Sequence, residues 1–236
     1  MISVVLFDLD ETIFAHRLAV DAGARAVLRN LEAPPAPERE AAEVVRWSDL
    51  EELHYTRYLM GDLDYLGQRR ARARDFLEPY GIVFDTDGEA ENWFEYYLTH
   101  YRDAWDVYPD TIRTLRLLAD RRLGVITNGE LGFQLAKMDA TGLTPFFEHI
   151  VASGEIGITK PNARIFQVAC DRFGVAPSDA AYVGDRLHTD AIGAADAGLR
   201  GIWLTRDGAL PSALAEAERA HIPVITTLDD LPPLLR

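Results

Sequence analysis

Apolar and polar positions divide the chain into three stretches. Residues 2–7 form an almost unbroken apolar run in which three of six side chains are β-branched, a pattern typical of a strand buried on both faces of a parallel sheet. From about residue 15 to residue 105 the apolar positions follow a helical rhythm, and nothing in this stretch predicts a strand. From Tyr108 onward, short apolar runs alternate with helical segments.

Alternating strands and helices build a parallel sheet that is covered on both faces. We therefore predict an α/β fold with a doubly wound, Rossmann-like sheet formed by residues 1–14 and 106–236. Residues 15–105 are predicted to form a helical domain inserted after the first strand, where it would cover the ligand end of the sheet as a lid. The later strands are predicted at residues 123–126, 149–152, 180–183, 201–204 and 222–226.

The first strand ends on two acidic residues, Asp8 and Asp10. Side chains alternate along an extended chain, so both carboxylates are expected to point the same way. Like charges this close are costly unless a cation or a shared proton relieves them. The pair is compatible with an ordinary acidic turn, with the Asp-x-Asp metal clip of some glycosyltransferases, or with a catalytic pair.

Charge and cysteine content narrow the list of partners. The chain carries 24 lysines and arginines against 38 acidic residues, a net charge of −14, which repels nucleic acids and anionic membranes. One cysteine, Cys170, allows neither an internal disulfide nor a thiolate metal cluster. Because the first strand starts at residue 2 and no apolar run has membrane-spanning length, we expect a cytoplasmic protein. We expect it to be a monomer or a homodimer.

Four polar segments fall where a doubly wound sheet would bring them to one edge. In chain order they are Asp8-Leu9-Asp10-Glu11-Thr12, Thr127-Asn128-Gly129, Lys160-Pro161 and Gly184-Asp185-Arg186-Leu187-His188-Thr189-Asp190. Together they resemble the four motifs of the haloacid dehalogenase superfamily. The helical stretch between the first two resembles the helical cap of that superfamily's first cap class. The likeness is greatest to its nucleotidase-like and small-molecule phosphatase members.

The resemblance implies a phosphomonoester hydrolase that works through a covalent aspartyl phosphate on Asp8. A carboxylate with an ordinary pKa of about 4 is ionised at neutral pH and needs no base before it attacks phosphorus. Asp10 is implied as the general acid for the leaving oxygen and then as the base that activates water. Haloacid dehalogenases lack this second acid, because a halide leaves without a proton, so phosphate release is the preferred reading.

The remaining motif residues are implied to hold the metal and the phosphate. Mg²⁺ would be bound by Asp8, the backbone carbonyl of Asp10 and Asp185, with Asp190 as a ligand or a support of the metal shell. Lys160 would hold phosphoryl oxygens and offset the charge of Asp8. The Thr127 hydroxyl and the Asn128 backbone N–H would bind another phosphoryl oxygen. The role of Arg186, where many relatives have a smaller residue, stays open.

The substrate is expected to be a small phosphorylated metabolite. A nucleoside monophosphate comes first, followed by sugar phosphates and phosphoglycolate. Two alternatives remain: a phosphosugar mutase of the same superfamily, and a phospho-aspartate switch protein that does not turn over.

Overall fold

The computed structural model describes residues 2–235. They divide into two compact units, one containing the residues up to Ala15 and those from Asp106 onward, the other containing residues 16–105. No helix among the described residues combines the length and the apolar character that a bilayer crossing requires.

Residues 16–105 form a helical unit that contains no strand. Its helices are α1 (His16–Arg29), α2 (Pro37–Leu59), α3 (Tyr65–Leu77) and α4 (Asp87–Asp103). Its core is aromatic: the buried Trp47 lies 4.5 Å from the Tyr97 ring and 4.8 Å from the Phe76 ring, measured between centroids. Packed rings bury a large area each, and this explains the concentration of aromatic residues in this part of the chain.

The other unit is built on a sheet of six parallel strands. The strands are β1 (Val4–Phe7), β2 (Arg122–Thr127), β3 (His149–Ala152), β4 (Ala180–Gly184), β5 (Arg200–Leu204) and β6 (Val224–Ile225), in the spatial order β3-β2-β1-β4-β5-β6. The helices are α5 (Thr111–Leu117), α6 (Leu131–Ala140), α7 (Ser153–Ile156), α8 (Ala163–Phe173), α9 (Gly193–Asp196) and α10 (Pro211–Arg219). All four residues of β1 are buried, as expected for a central strand covered on both faces.

The predicted doubly wound α/β fold is confirmed. The predicted strands differ from the observed ones by at most two residues at either end. The Lys160-Pro161 motif lies just ahead of helix α8, which starts at Ala163. Its N-cap is Asn162, whose side-chain oxygen accepts a hydrogen bond from the Arg164 backbone N–H at 2.9 Å and so satisfies a donor that the first turn leaves without a partner.

Candidate active site

The order of the strands explains why the motif residues meet. Strand β1 pairs with β2 on one side and with β4 on the other, so the segments that follow these three strands lie side by side at one edge of the sheet. The chain builds β2 and β3 on one side of β1 and then crosses over to build β4, β5 and β6 on the other side. The strand order therefore reverses between β1 and β4, and open α/β sheets form a crevice for ligands at such a point.

Lys160 lies at the centre of this edge and is 5% exposed. Its ammonium group donates to Asp8 Oδ1 at 2.6 Å, to Asp190 Oδ1 at 2.7 Å and to the Tyr182 hydroxyl at 2.7 Å. A lysine has three hydrogens to donate, and all three have partners in this structure. A phosphoryl oxygen would therefore have to replace one of these partners to bind Lys160 directly.

Three carboxylates form an acidic cluster beside this lysine. Asp8, Asp185 and Asp190 each present an oxygen, and these oxygens lie within 4.8 Å of one another. Burial raises the pKa of Asp8 to about 7 against the opposing charge of Lys160, and the charge of Asp190 adds to the rise. Burial, together with the charges of Asp8 and Asp190, also raises the pKa of Asp185 well above its usual range. The cluster holds more negative charge than one lysine can offset.

The same electrostatics act on the lysine in the opposite sense. Burial alone would lower the pKa of Lys160, but the adjacent charges of Asp190 and Asp8 raise it, so the ammonium group stays charged.

A π-helical turn, Leu187–Ile192, carries Asp190 back toward the end of β4. Asp190 is 1% exposed, and its Oδ2 accepts a hydrogen bond from the Arg186 backbone N–H at 2.9 Å. Gly184 is required by this approach, because a Cβ at that position would lie 2.4 Å from the Asp190 carboxyl carbon. Arg186 contributes its backbone here, whereas its side chain is exposed. The carbonyl of Asp185 accepts a bond from the Trp203 indole at 2.8 Å.

Asp10 does not share the surroundings of Asp8. Its Oδ1 accepts a hydrogen bond from the Lys137 ammonium group at 2.6 Å, and its Oδ2 accepts one from Gln134 Nε2 at 3.0 Å. Each acid of the first motif is therefore paired with a lysine of its own, which relieves the repulsion expected between them.

Thr127 is linked to Asp10 through Gln134. The Gln134 amide also donates to Thr127 Oγ1, at 2.7 Å. Because this bond uses Thr127 as an acceptor, the Thr127 hydroxyl hydrogen stays available for another acceptor, such as a phosphoryl oxygen.

Asn128 connects the second and third motifs. Its side-chain amide donates to the Lys160 carbonyl, and its side-chain oxygen accepts from the Lys160 backbone N–H. The structure thus brings together every residue that the sequence analysis placed in the site. Their chemical roles stay predictions.

Three residues of this edge were missed by sequence reasoning: Gln134, Lys137 and Tyr182. A compositional signal was available for one of them. Of the 24 basic residues, only Lys137 and Lys160 are lysines, and both side chains are 3% exposed. Lysines are rarely buried unless they are paired, so two isolated lysines in an arginine-rich chain could have been picked out.

The donor set suits Mg²⁺. Carboxylate oxygens are the protein ligands that Mg²⁺ takes, usually together with several waters. Burial and the neighbouring negative charges raise the pKa values of Asp8 and Asp185, and a divalent cation between these carboxylates would oppose that repulsion. Asp8, Asp185 and Asp190 therefore fit a metal of this kind, although Asp190 already bonds Lys160 and the Arg186 backbone.

A parallel α/β sheet with a cluster of aspartates and a buried lysine at the carboxyl ends of its strands is typical of one class of hydrolase. Comparison of the sequence with known families gives the same class. The family model described as haloacid dehalogenase-like hydrolase matches residues 2–198. The chain belongs to this enzyme family, which confirms the resemblance read from the four motifs.

Two phosphatases align with this chain over most of their own length. The chain is 32% identical over 217 residues to the glyceraldehyde 3-phosphate phosphatase of Methanopyrus kandleri, covering 87% of this chain and 85% of the relative. It is 33% identical over 226 residues to the phosphoserine phosphatase of Thermus thermophilus, covering 86% and 88%. Among solved structures, the hydrolase YfnB of Bacillus subtilis, determined with bound magnesium, superposes with a TM-score of 0.79 at 22% identity over 100% of this chain and 99% of that one.

Proposed function

We propose that this protein is a phosphatase that hydrolyses a small phosphorylated metabolite through an aspartyl phosphate on Asp8, with Mg²⁺ as cofactor. The observation that carries the proposal is the unequal environment of the two motif acids. Asp8 lies in a buried cluster of carboxylates beside Lys160, whereas Asp10 lies outside that cluster with Lys137. Two acids in different environments can divide the roles of nucleophile and proton carrier.

Asp8, Asp185 and Asp190 would hold the metal ion. When bound, Mg²⁺ would neutralise the repulsion between the Asp8 carboxylate and a phosphate dianion and stabilise charge on the phosphoryl oxygens. Lys160 keeps the Asp8 carboxylate in a fixed position from one side and compensates part of its charge.

The covalent step forms a bond between an Asp8 carboxylate oxygen and phosphorus while the bond from phosphorus to the leaving oxygen breaks. Asp10 gives its proton to that oxygen, so the product leaves as an alcohol. A water molecule then attacks the phosphorus of the aspartyl phosphate while Asp10 takes a proton from that water. The bond from phosphorus to the Asp8 oxygen breaks, which releases inorganic phosphate and restores the Asp8 carboxylate. The Thr127 hydroxyl and the Asn128 backbone N–H donate to phosphoryl oxygens throughout.

The substrate class follows from the names of the relatives. Those matched over most of their length are named as phosphatases of glyceraldehyde 3-phosphate and of phosphoserine, both small phosphomonoesters. A test panel therefore contains these two compounds, several sugar phosphates and phosphoglycolate. It also contains nucleoside monophosphates, the substrates that the sequence analysis places first.

The decisive experiment measures phosphate release from this panel with and without Mg²⁺, using the natural protein and Asp8→Asn. The natural protein is expected to release phosphate only with the metal, and Asp8→Asn is expected to lose turnover while still binding substrate. Turnover in Asp8→Asn equal to that of the natural protein would exclude the aspartyl phosphate. Isomerised product without free phosphate would identify a mutase, and a stable phosphoprotein a switch.

A further inference from the structure

We infer that Lys137 and Gln134 are positioning residues that hold the Asp10 carboxyl for proton transfer, with Lys137 deciding which of its two oxygens carries the proton. The inference rests on the proposed function, in which Asp10 serves as general acid. The four sequence motifs contain neither residue, and both lie on helix α6.

Each oxygen of Asp10 has its own donor. Lys137 Nζ lies 2.6 Å from Oδ1, and Gln134 Nε2 lies 3.0 Å from Oδ2. A carboxyl group held at both oxygens by separate donors cannot rotate freely about the bond that joins it to Cβ. The orientation of Asp10 is thus set by helix α6, because Gln134 and Lys137 are three residues apart and lie on one face of that helix.

The environment of Lys137 keeps its ammonium group in place. The Nζ atom lies 4.9 Å from the centroid of the Phe14 ring and 5.4 Å from that of Phe133. Ring faces attract a cation, and the Lys137 side chain is only 3% exposed. The Asp10 side chain, by contrast, is 29% exposed, as a group must be that meets a substrate or a water molecule.

The chemistry of lysine then selects the oxygen. Lys137 carries a full positive charge, whereas the Gln134 amide that donates to Oδ2 is neutral. Negative charge is therefore stabilised best on Oδ1, and when Asp10 holds a proton, that proton is on Oδ2. In the reaction the bond from Oδ2 to hydrogen breaks as the bond from hydrogen to the leaving oxygen forms, and the electron pair left on Oδ2 restores the carboxylate.

Gln134 aligns this oxygen with the phosphate-binding group. One amide nitrogen donates both to Asp10 Oδ2 and to Thr127 Oγ1. The proton carrier and a phosphoryl-oxygen donor thereby keep a fixed separation, which matters because small displacements of reacting groups cost large factors in rate.

A purely structural ion pair is the competing explanation, and the leaving group distinguishes the two. An alkoxide needs a proton as it leaves, whereas a nitrophenolate delocalises its charge and leaves without one. The ratio kcat/KM reports the steps up to departure of the leaving group, so it is not affected by the later hydrolysis of the aspartyl phosphate.

The experiment compares Lys137→Met with a control substitution, Met138→Ala, which changes the next buried residue of the same helix. For Lys137→Met, kcat/KM is expected to fall on the order of 100-fold with an alkyl phosphate and less than about fivefold with p-nitrophenyl phosphate. Met138→Ala is expected to lower thermal stability and to change both values by one common factor. If Lys137→Met also lowers kcat/KM by the same factor with the alkyl phosphate and with p-nitrophenyl phosphate, the inference is wrong.

A second measurement does not depend on activity. With only two lysines in the chain, isotope labelling of lysine yields two sets of side-chain NMR signals. Asp10→Asn is expected to shift the Lys137 signals and Asp8→Asn those of Lys160. If Asp10→Asn shifts neither set, the contact on which the inference rests is wrong. If the contact is present but the natural protein hydrolyses neither ester, it is the proposed function that fails.

Discussion

Asn128 and Lys160, 32 residues apart, are joined by two hydrogen bonds between the side-chain amide of the first and the backbone of the second. Asn128 Nδ2 donates to the Lys160 carbonyl at 3.1 Å, and the Lys160 N–H donates to Asn128 Oδ1 at 2.7 Å. The asparagine therefore fixes the backbone from which the Lys160 side chain reaches Asp8. The second motif supports the third by this route.

Replacing Asn128 tests that support. Asn128→Ala removes both bonds, so we expect the free energy of unfolding to fall by about 1–3 kcal/mol and phosphate release to fall at least tenfold as Lys160 loses its position. Asn162→Ala is a matched control, because it removes only the cap of α8 and costs about 1 kcal/mol without touching the Lys160 backbone. Urea unfolding and steady-state assays of both variants measure the difference. Equal turnover in the two variants would contradict the argument.

Gly129 is needed for the position of Gln134. A Cβ at residue 129 would lie 2.6 Å from Gln134 Nε2, so Gly129→Ala is expected to push the amide away from Asp10 and Thr127. We expect turnover to fall by roughly 10- to 100-fold. Gly132→Ala, in the first turn of α6 with open space around the added methyl group, is expected to keep turnover and to gain up to about 1 kcal/mol of stability. A Gly129→Ala enzyme with normal turnover would refute this role of Gln134.

The acidic cluster predicts how stability depends on pH. The pKa of Asp8 is about 7 in the folded protein and about 4 in an unfolded chain, so the folded state binds the proton more tightly. The stability that this group contributes is fully present below about pH 4 and is lost as the pH rises through about 7. Mg²⁺ competes with that proton. Added Mg²⁺ is therefore expected to raise the unfolding temperature clearly at about pH 7.5 and much less at about pH 5.

Thermal unfolding at the two pH values, with and without the metal, measures this effect. Asp185→Asn removes one of the cluster's charges and is expected to weaken the response to Mg²⁺ at the higher pH. The same increase at both pH values would show that the metal does not bind where these acids titrate.

Tyr182 supplies the third acceptor of the Lys160 ammonium group. Tyr182→Phe leaves one buried donor of Lys160 without its partner, and we expect a loss of about 1–3 kcal/mol in the free energy of unfolding. Tyr96→Phe is the control. Its hydroxyl also accepts a hydrogen bond, from Asn30 at 2.6 Å, but the residue is 42% exposed, so water can replace that bond and the loss should stay within about 0.5 kcal/mol. Equal losses in the two variants would argue against the importance of the buried acceptor.

Local pattern was sufficient for the architecture. An apolar run such as Val4–Phe7 predicts a strand buried on both faces before its neighbours are known, and the structure has it buried. The helical rhythm of residues 16–105 likewise predicts helices alone, and that unit contains no strand. The positions of Asp8, Asp185 and Lys160 could also be predicted, because each belongs to a short motif whose order along the chain is recognisable. The family assignment followed from that order and is confirmed by the family match.

Only the tertiary structure decided how charge is distributed at the site. Lys137 meets Asp10 across 127 positions of sequence, and Lys160 meets Asp8 across 152. No periodicity within one helix or strand encodes contacts of this range. They arise because parallel strands align their ends and helix α6 presents Gln134 and Lys137 to one of those ends. The sequence by itself determined which acids are present, and the packing of the sheet and its helices determined which cation each of them received.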